Sequence, residues 1–421
     1  WTVEGIGTAP LNETDLAAAA GYGVSLEARE FVEEITDSSQ LAKYGLAEPQ
    51  ASVVTKLNDG TELTLSVGDE VPTSSTSVYI TADGKNVYTY YKSRCEYFLR
   101  NRLGFVDLTA VPAYDQSSGE EVRRMTIERI DLEEPIVLEA ILPDDENAIQ
   151  VYTYRMLSPY TAYADLTDVP TFVYSLFGLT ASECEWVGME EQDYEIAGLN
   201  EPNCVVTVET NQRTYKLTLG KALVETKEDD SGSTTQTVRA FYGVSDDRPD
   251  ILYRFETSDL PMMSIQPEKL LSKLFLMPYI YSLNSLHYSD PTGRDVTIGI
   301  ETIPAKDEDS EDQHSFTLNG EPTKDQPVKD LYQYLISAAG EELYFDSDKG
   351  ELLAEIVYSY NDRNEGMNGS DTVRFYSSNT DRKVIIELNG ENLFKTRQGY
   401  VTQLYSNIDN YLSGGEIVYT Y

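Results

Sequence analysis

Apolar and polar residues alternate along much of the chain, with the period of two that a half-buried antiparallel strand imposes. Ser52 to Leu57 alternates, turns at Asn58-Asp59-Gly60, and alternates again from Leu63 to Gly68. Cys204 to Glu209, a turn at Asn211-Gln212, and Tyr215 to Gly220 repeat that arrangement. Each pair is followed by a predicted hairpin, Val78–Thr81 with Val87–Tyr91 and Val238–Val244 with Ile251–Phe255. Asp83-Gly84 is a favoured hairpin turn in the first of these.

The copies are linked most clearly by what precedes the strands. Tyr44-Gly45-Leu46-Ala47-Glu48-Pro49 returns as Ala197-Gly198-Leu199-Asn200-Glu201-Pro202. Gly45 and Gly198 supply a positive φ, Leu46 and Leu199 pin the turn to the core, and Pro49 and Pro202 open the next strand. Glu48 and Glu201 read as turn residues. Upstream, Trp1–Ile6 is expected as a strand, with helices capped by Asp15 or Ser25 running to about Ile35. The matching segments of the second copy are a strand over Val151–Leu157, a helix over Asp165–Leu179, and Glu185–Gly188 leading into the signature.

A third, diverged unit is expected after residue 288. Its predicted strands are His314–Leu318, Glu342–Phe345, Leu352–Tyr360, Thr372–Tyr376 and Val384–Leu388, ending at the turn Asn389-Gly390. Helices are predicted over Val328–Ala339 and through Val401, Leu404, Tyr405, Ile408 and Leu412. Extra strands, Val122–Ile130 with Ile136–Leu142 and Asp295–Thr302, precede the second and third units. Linkers are expected at Asp115–Glu120 and Ala305–Asp312, and a core helix at Leu270–Leu283. The pattern therefore predicts an α+β fold of tandem, mainly antiparallel sheets with one or two helices per unit. The units are repeat unit 1 (residues 1–110), repeat unit 2 with an extra N-terminal hairpin (120–288) and diverged repeat unit 3 (289–421).

Charge narrows the function. The 421 residues hold 72 Asp and Glu against 32 Lys and Arg, a formal net charge of -40. Nucleic acid is excluded as an expected partner because phosphate recognition needs a basic surface, and an anionic membrane surface repels the chain. No apolar run reaches the ~20 residues that span a bilayer. Cys95, Cys184 and Cys204 contain no CxxC spacing and are expected to be buried free thiols, although Cys184 and Cys204 could pair if the fold joined them.

Chemistry-bearing motifs are missing from the sequence. Only His287 and His314 are available as imidazole bases or ligands, and neither adjoins a nucleophile motif. Phosphate-loop and zinc-hydrolase motifs are also missing. Asp346-Ser347-Asp348-Lys349-Gly350 and Asp362-Arg363-Asn364-Glu365-Gly366 resemble the start of a calcium loop, but place Gly one residue early and lack the closing Glu. No catalytic residue, metal ligand or cofactor is expected. The 31 tyrosines, with clusters at Tyr88–Tyr91, Tyr279–Tyr281 and Tyr358 with Tyr360, read as sheet packing or as a contact surface.

At Gly45-Leu46-Ala47-Glu48-Pro49 and the strands ending in Gly68, the chain resembles an uncharacterised family of exported bacterial lipoproteins. Its members carry a domain of unknown function with a Gly-Leu-x-x-Pro signature, often beside gliding-type ABC transporter components. The resemblance implies an extracytoplasmic location, a lipidated cysteine upstream of Trp1 and a transporter or other envelope partner, and it brings no catalytic residues. The expected function is a non-catalytic binding or scaffold protein of the cell envelope. A glycan-binding or carboxylate-dependent glycan-cleaving protein is the alternative, with calcium-dependent adhesion as a third.

Overall fold

The computed structural model describes residues 1–25, 27–142, 151–228, 233–303, 312–361 and 369–421. In chain order, the first stretch forms α1 (Glu13–Val24), β1 (Glu30–Glu34), β2 (Ala51–Lys56), β3 (Glu62–Glu70), β4 (Ser77–Thr81), β5 (Asn86–Tyr91) and α2 (Lys92–Leu99). The strands β6 (Val122–Arg129) and β7 (Ile136–Ala140) lead to β8 (Tyr154–Ser158), β9 (Ala162–Tyr163), α3 (Asp168–Phe172), β10 (Glu183–Val187) and α4 (Tyr194–Ala197). Next come β11 (Cys204–Thr210), β12 (Thr214–Glu228), β13 (Thr234–Ser245) and β14 (Arg248–Glu256). Four strands follow, β15 (Leu283–Ser289), β16 (Asp295–Ile303), β17 (Gln313–Leu318) and β18 (Glu321–Thr323), then α5 (Asp325–Leu335). The chain closes with β19 (Glu342–Leu343), β20 (Leu352–Tyr360), β21 (Ser370–Ser377), β22 (Lys383–Leu388), β23 (Glu391–Arg397) and α6 (Gln398–Ser413). The sheets are mostly antiparallel, and the fold is α+β.

Two compact units share this chain. The first comprises Trp1–Ala113, Phe177–Asn203 and Leu217–Leu260; the second comprises Tyr114–Leu176, Cys204–Lys216 and Pro261–Tyr421. In the first unit, one sheet runs β1-β5-β4-β3-β2 and another run reads β10-β14-β13-β12. Leu65, Val67, Val78, Ile80 and Tyr90 pack under Cys95 of α2 on one face of the first sheet. Ile35, Tyr44, Leu46 and Val87 form a second small core, which buries the signature leucine. Leu199 has the same place in a cluster with Met189, Ala197, Val244 and Leu252.

The second unit holds a run β11-β6-β7-β8-β9 and a nine-stranded sheet β18-β17-β16-β15-β20-β21-β22-β23-β19. Half of that sheet, β19-β23-β22-β21-β20, has the order of β1-β5-β4-β3-β2. Its other half, β20-β15-β16-β17-β18, has the order of β11-β6-β7-β8-β9. α6 follows β23 directly, as α2 follows β5. The topology of the first copy thus returns after residue 283 without the Gly-Leu-x-x-Pro signature. The link between β19 and β20 is instead the polar turn at Asp346–Gly350, where the Asp348 N–H donates to Asp346 Oδ1 at 3.1 Å.

Several local expectations are corrected. Residues 1–6 form a turn rather than a strand, and α1 is capped by Asn12, whose Oδ1 accepts from the Asp15 N–H at 3.0 Å. Ser25 ends α1 instead of starting a helix, and residues 30–34 are β1. The predicted helix over Asp165–Leu179 shrinks to the five residues of α3, and Asp165 lies in the turn before it, where its Oδ1 accepts from the Thr167 and Asp168 N–H groups at 2.8 and 2.9 Å. Leu270–Leu283 is not a helix: only 3-10 turns at Pro267–Leu270 and Ile280–Ser282 flank it, and β15 begins at Leu283. Its apolar residues Leu270, Leu271, Phe275 and Leu276 are nevertheless buried. Most of the expected linker Ala305–Asp312 and all of the calcium-like stretch Asp362–Gly366 lie outside the described residues.

Candidate functional site

The recurring turn is the most elaborately built local feature of the chain. In the first copy a 3-10 helix, Ser38–Tyr44, ends at Gly45, which has φ of 64°. In the second, α4 ends at Gly198 with φ of 70°. The Gly45 N–H donates to Ala42 O at 3.3 Å and the Leu46 N–H to Leu41 O at 3.0 Å. Gly198 to Glu195 O at 3.1 Å and Leu199 to Tyr194 O at 2.9 Å reproduce that pair. Left-handed glycine followed by a buried apolar residue is how orphan helix carbonyls are satisfied. The start of each turn is matched too: Gln40 Oε1 accepts from the Asp37 N–H at 3.2 Å, and Asp193 Oδ2 from the Glu190 N–H at 2.9 Å.

The turn is then locked to the neighbouring strand. Gln50 Nε2 donates to Gly68 O at 3.1 Å, and Asn203 Nδ2 to Gly220 O at 2.7 Å. A Cβ on Gly68 would lie 2.2 Å from Tyr44 O, and one on Gly220 would lie 2.2 Å from Ala197 O. Both glycines therefore exist because a helix-end carbonyl crosses the strand at close range. The glutamates Glu48 and Glu201 are exposed, and Pro49 and Pro202 are half-buried just before the strands. The signature thus joins turn to sheet, and its one shared ionisable position faces solvent.

The chain also has a cleft of about 610 Å³ in the first unit. Asn12, Asp15, Arg100, Asn101, Glu183 and Glu185 supply its polar groups. Arg100 Nη1 pairs with Asp15 Oδ2 at 2.5 Å. Asn12 Oδ1 caps α1, and Asn101 Oδ1 accepts from the Leu103 and Gly104 N–H groups at 2.8 and 3.2 Å. Glu183 reaches Arg254 at 3.3 Å. Most of these groups are held by partners of their own, so the cleft presents a neutralised, acidic-edged surface suited to weak polar contact.

Cys184 lines the cleft, but burial pushes its thiol up to about 11. Burial likewise pushes Cys95 and Cys204 up to about 12. All three are free thiols, so Cys184 and Cys204 are not paired. Because the thiolate is the nucleophile, native protein is expected to resist iodoacetamide at pH 8, with modification rising only as pH approaches 11. All three should react at pH 8 once the chain is unfolded in denaturant. Mass spectrometry of alkylated native and unfolded samples measures this directly; rapid native labelling of Cys184 would contradict the assignment.

The remaining candidate residues are dispersed. His287 Nε2 lies 3.2 Å from Asp295 Oδ1 on the β15–β16 surface. His314 stacks on Tyr281 with ring centroids 3.5 Å apart and meets Thr302 Oγ1 at 3.0 Å; burial lowers its pKa. Among the described residues, no three His, Cys, Asp or Glu side chains are grouped to hold a metal ion. Asp348, in the calcium-like turn, accepts from Asn379 Nδ2 at 2.8 Å. Tyrosines Tyr90, Tyr253, Tyr288, Tyr334, Tyr358 and Tyr400 are fully buried, so much of the tyrosine excess belongs to the core.

Three buried carboxylates, Asp371, Glu120 and Glu387, escaped the sequence reading. Asp371 is 0% exposed and accepts from Tyr163 and Tyr360 hydroxyls at 2.8 and 2.7 Å and from Asn389 Nδ2 at 2.8 Å. Burial, then the nearby carboxylate charge, raises Tyr163 well above the usual tyrosine range; in Tyr360 burial leads and Tyr163 adds to it. Glu120, at the end of the expected linker Asp115–Glu120, is buried and accepts from Tyr215 at 2.9 Å and Thr210 at 2.8 Å. The only sequence signal was an acidic residue whose hydroxyl partners lie far away in the chain.

The geometry defines a tandem α+β sheet protein whose best-built motif is a turn that fastens helix to strand. Residues 1–153 match the family model described as "Domain of unknown function (DUF4340)", which covers the first copy and the β6–β7 strands. No curated protein matches the chain. No solved structure matches it either. No helix among the described residues is long and apolar enough to cross a membrane.

Proposed function

We propose that this chain is a non-catalytic scaffold of the bacterial cell envelope that uses its repeated sheets to bind a partner protein. The observation that carries the reading is the strand order β1-β5-β4-β3-β2, which returns as β19-β23-β22-β21-β20. Repetition of one sheet extends a binding surface, because each copy adds a similar face. The cleft side chains and the buried carboxylates described above serve the fold.

The location and the partner class rest on the resemblance to exported lipoproteins found beside ABC transporter components. In this reading a lipid anchor upstream of Trp1 holds the protein to the outer face of the cytoplasmic membrane. The acidic surface keeps the sheets off anionic headgroups and directs binding toward protein. Crosslinking in intact cells, followed by identification of captured proteins, tests this. A reproducible ABC transporter or envelope component is expected, and capture of cytoplasmic proteins alone would overturn the reading.

A further inference from the structure

We infer that β2 is a docking edge that receives one extended strand, antiparallel, from a partner protein. The inference deepens the scaffold reading and rests on it. β2 ends its sheet, and no strand among the described residues pairs with its outer side. Its counterparts in the other copies do not end there. β11 pairs with β6 over Cys204 to Thr210, and β20 pairs with β15 over Leu283 to Ser289. The chain therefore fills the corresponding position twice with an antiparallel strand of its own, and among the described residues no strand fills it at β2.

The open edge is suited to pairing. The Leu57 N–H donates to Thr61 O at 2.8 Å, and β2 pairs with β3 in unbroken register from Ala51↔Val67 to Lys56↔Glu62. Antiparallel ladders alternate, so Ser52, Val54 and Lys56 turn their N–H and C=O groups away from β3. Val54, at the centre, is 54% exposed. Exposed edges of this kind are usually blunted by prolines, bulges or an added strand, and β2 has neither of the first two between Ala51 and Lys56.

The same comparison specifies the occupant. On β11, Val206 faces Ile127, Thr207 faces Thr126, Val208 faces Met125 and Glu209 faces Arg124. The aligned residues of β2 are Val53, Val54, Thr55 and Lys56. A partner strand fitting β2 thus has apolar residues at two alternate positions, opposite Val53 and Thr55. It has an acidic residue opposite Lys56, where β6 has arginine. A second copy of this chain is disfavoured because two bodies of formal charge -40 repel each other.

The probe is a fluorescent peptide of residues 121–130 carrying R124E, titrated against the whole chain and followed by anisotropy. Binding is expected to the natural protein, with a loss of about tenfold or more in Val54→Pro and Ser52→Pro, since proline deletes an outward N–H that β3 does not use. The thermal transition of each variant shows that it is folded, and the two positions guard against one failing. Peptide with Arg124 retained should bind more weakly, from the like charge at Lys56. No binding to the natural protein, or equal binding to a folded proline variant, overturns strand docking. If crosslinking still captures an envelope partner in that case, the scaffold reading stands and the partner uses another surface. If strand docking succeeds while no envelope protein is captured, the location is wrong and the edge is right.

Discussion

Gly220→Ala is expected to destabilise the protein by about 3 kcal/mol or more, above the usual range for an added methyl group in a packed site. The added Cβ would lie 2.2 Å from Ala197 O and 2.9 Å from Gly198 C, both main-chain atoms. Backbone cannot swing aside as a side-chain tip can, so the helix end must lift from the strand. That movement would break the 2.7 Å bond from Asn203 to Gly220 O and unseat Leu199. Gly68→Ala repeats the experiment in the first copy, against Tyr44 O at 2.2 Å. Gly60→Ala is the control: with φ of 87° and open space around it, it should cost only about 1 kcal/mol of backbone strain. Chemical denaturation of the three variants measures the difference. Equal effects at Gly60 and Gly220 would show that the close carbonyl is not the constraint.

Asp371→Ala is expected to cost about 3 kcal/mol or more, since each buried donor left without its acceptor costs about 1 to 3 kcal/mol. Two tyrosine hydroxyls and the Asn389 amide would lose their acceptor at once, in a site with no access to bulk water. The Asn389 backbone sits at φ of 51°, next to Gly390 at 96°, so the carboxylate also steadies the turn between β22 and β23. Asp371→Asn should cost less, because it keeps one carbonyl oxygen and the hydroxyls can rotate. Double-mutant cycles with Tyr163→Phe and Tyr360→Phe would apportion the loss. Additive effects of Asp371→Ala and Tyr163→Phe would remove the cluster as a unit.

What the sequence made legible was whatever repeats locally. Alternation at Leu63–Gly68 and Tyr215–Gly220, the glycines at 45 and 198, and the turn at Asn389-Gly390 each carry their instruction within a few residues. The strand β1 did not: Glu30-Phe31-Val32-Glu33-Glu34 has no alternation, and it is a strand because β5 offers an edge to pair with. Its bulge between Phe31 and Glu33 matches the one between Cys184 and Trp186 of β10, a likeness that shared residues do not announce. The apolar run at Leu270–Leu283 misled because burial without period fits helix, strand or packed coil equally. Copy three lost its signature and kept its strand order, since order is set by long-range pairing. For the candidate site, the signature residues were visible, whereas the β2 edge, the cleft and Asp371 depend on partners over a large sequence distance.

The interleaving of the two compact units has a consequence for synthesis. Residues 1–113 belong to the same unit as 217–260, with 114–176 assigned elsewhere. On a ribosome β1–β5 can pair once residue 91 has emerged, but the first unit cannot be completed until residue 260 has followed. Such non-local closure slows folding and prolongs the exposure of unpaired edges. Cutting the gene at an apparent repeat boundary, for instance after residue 113, would therefore yield a fragment deprived of part of its own unit.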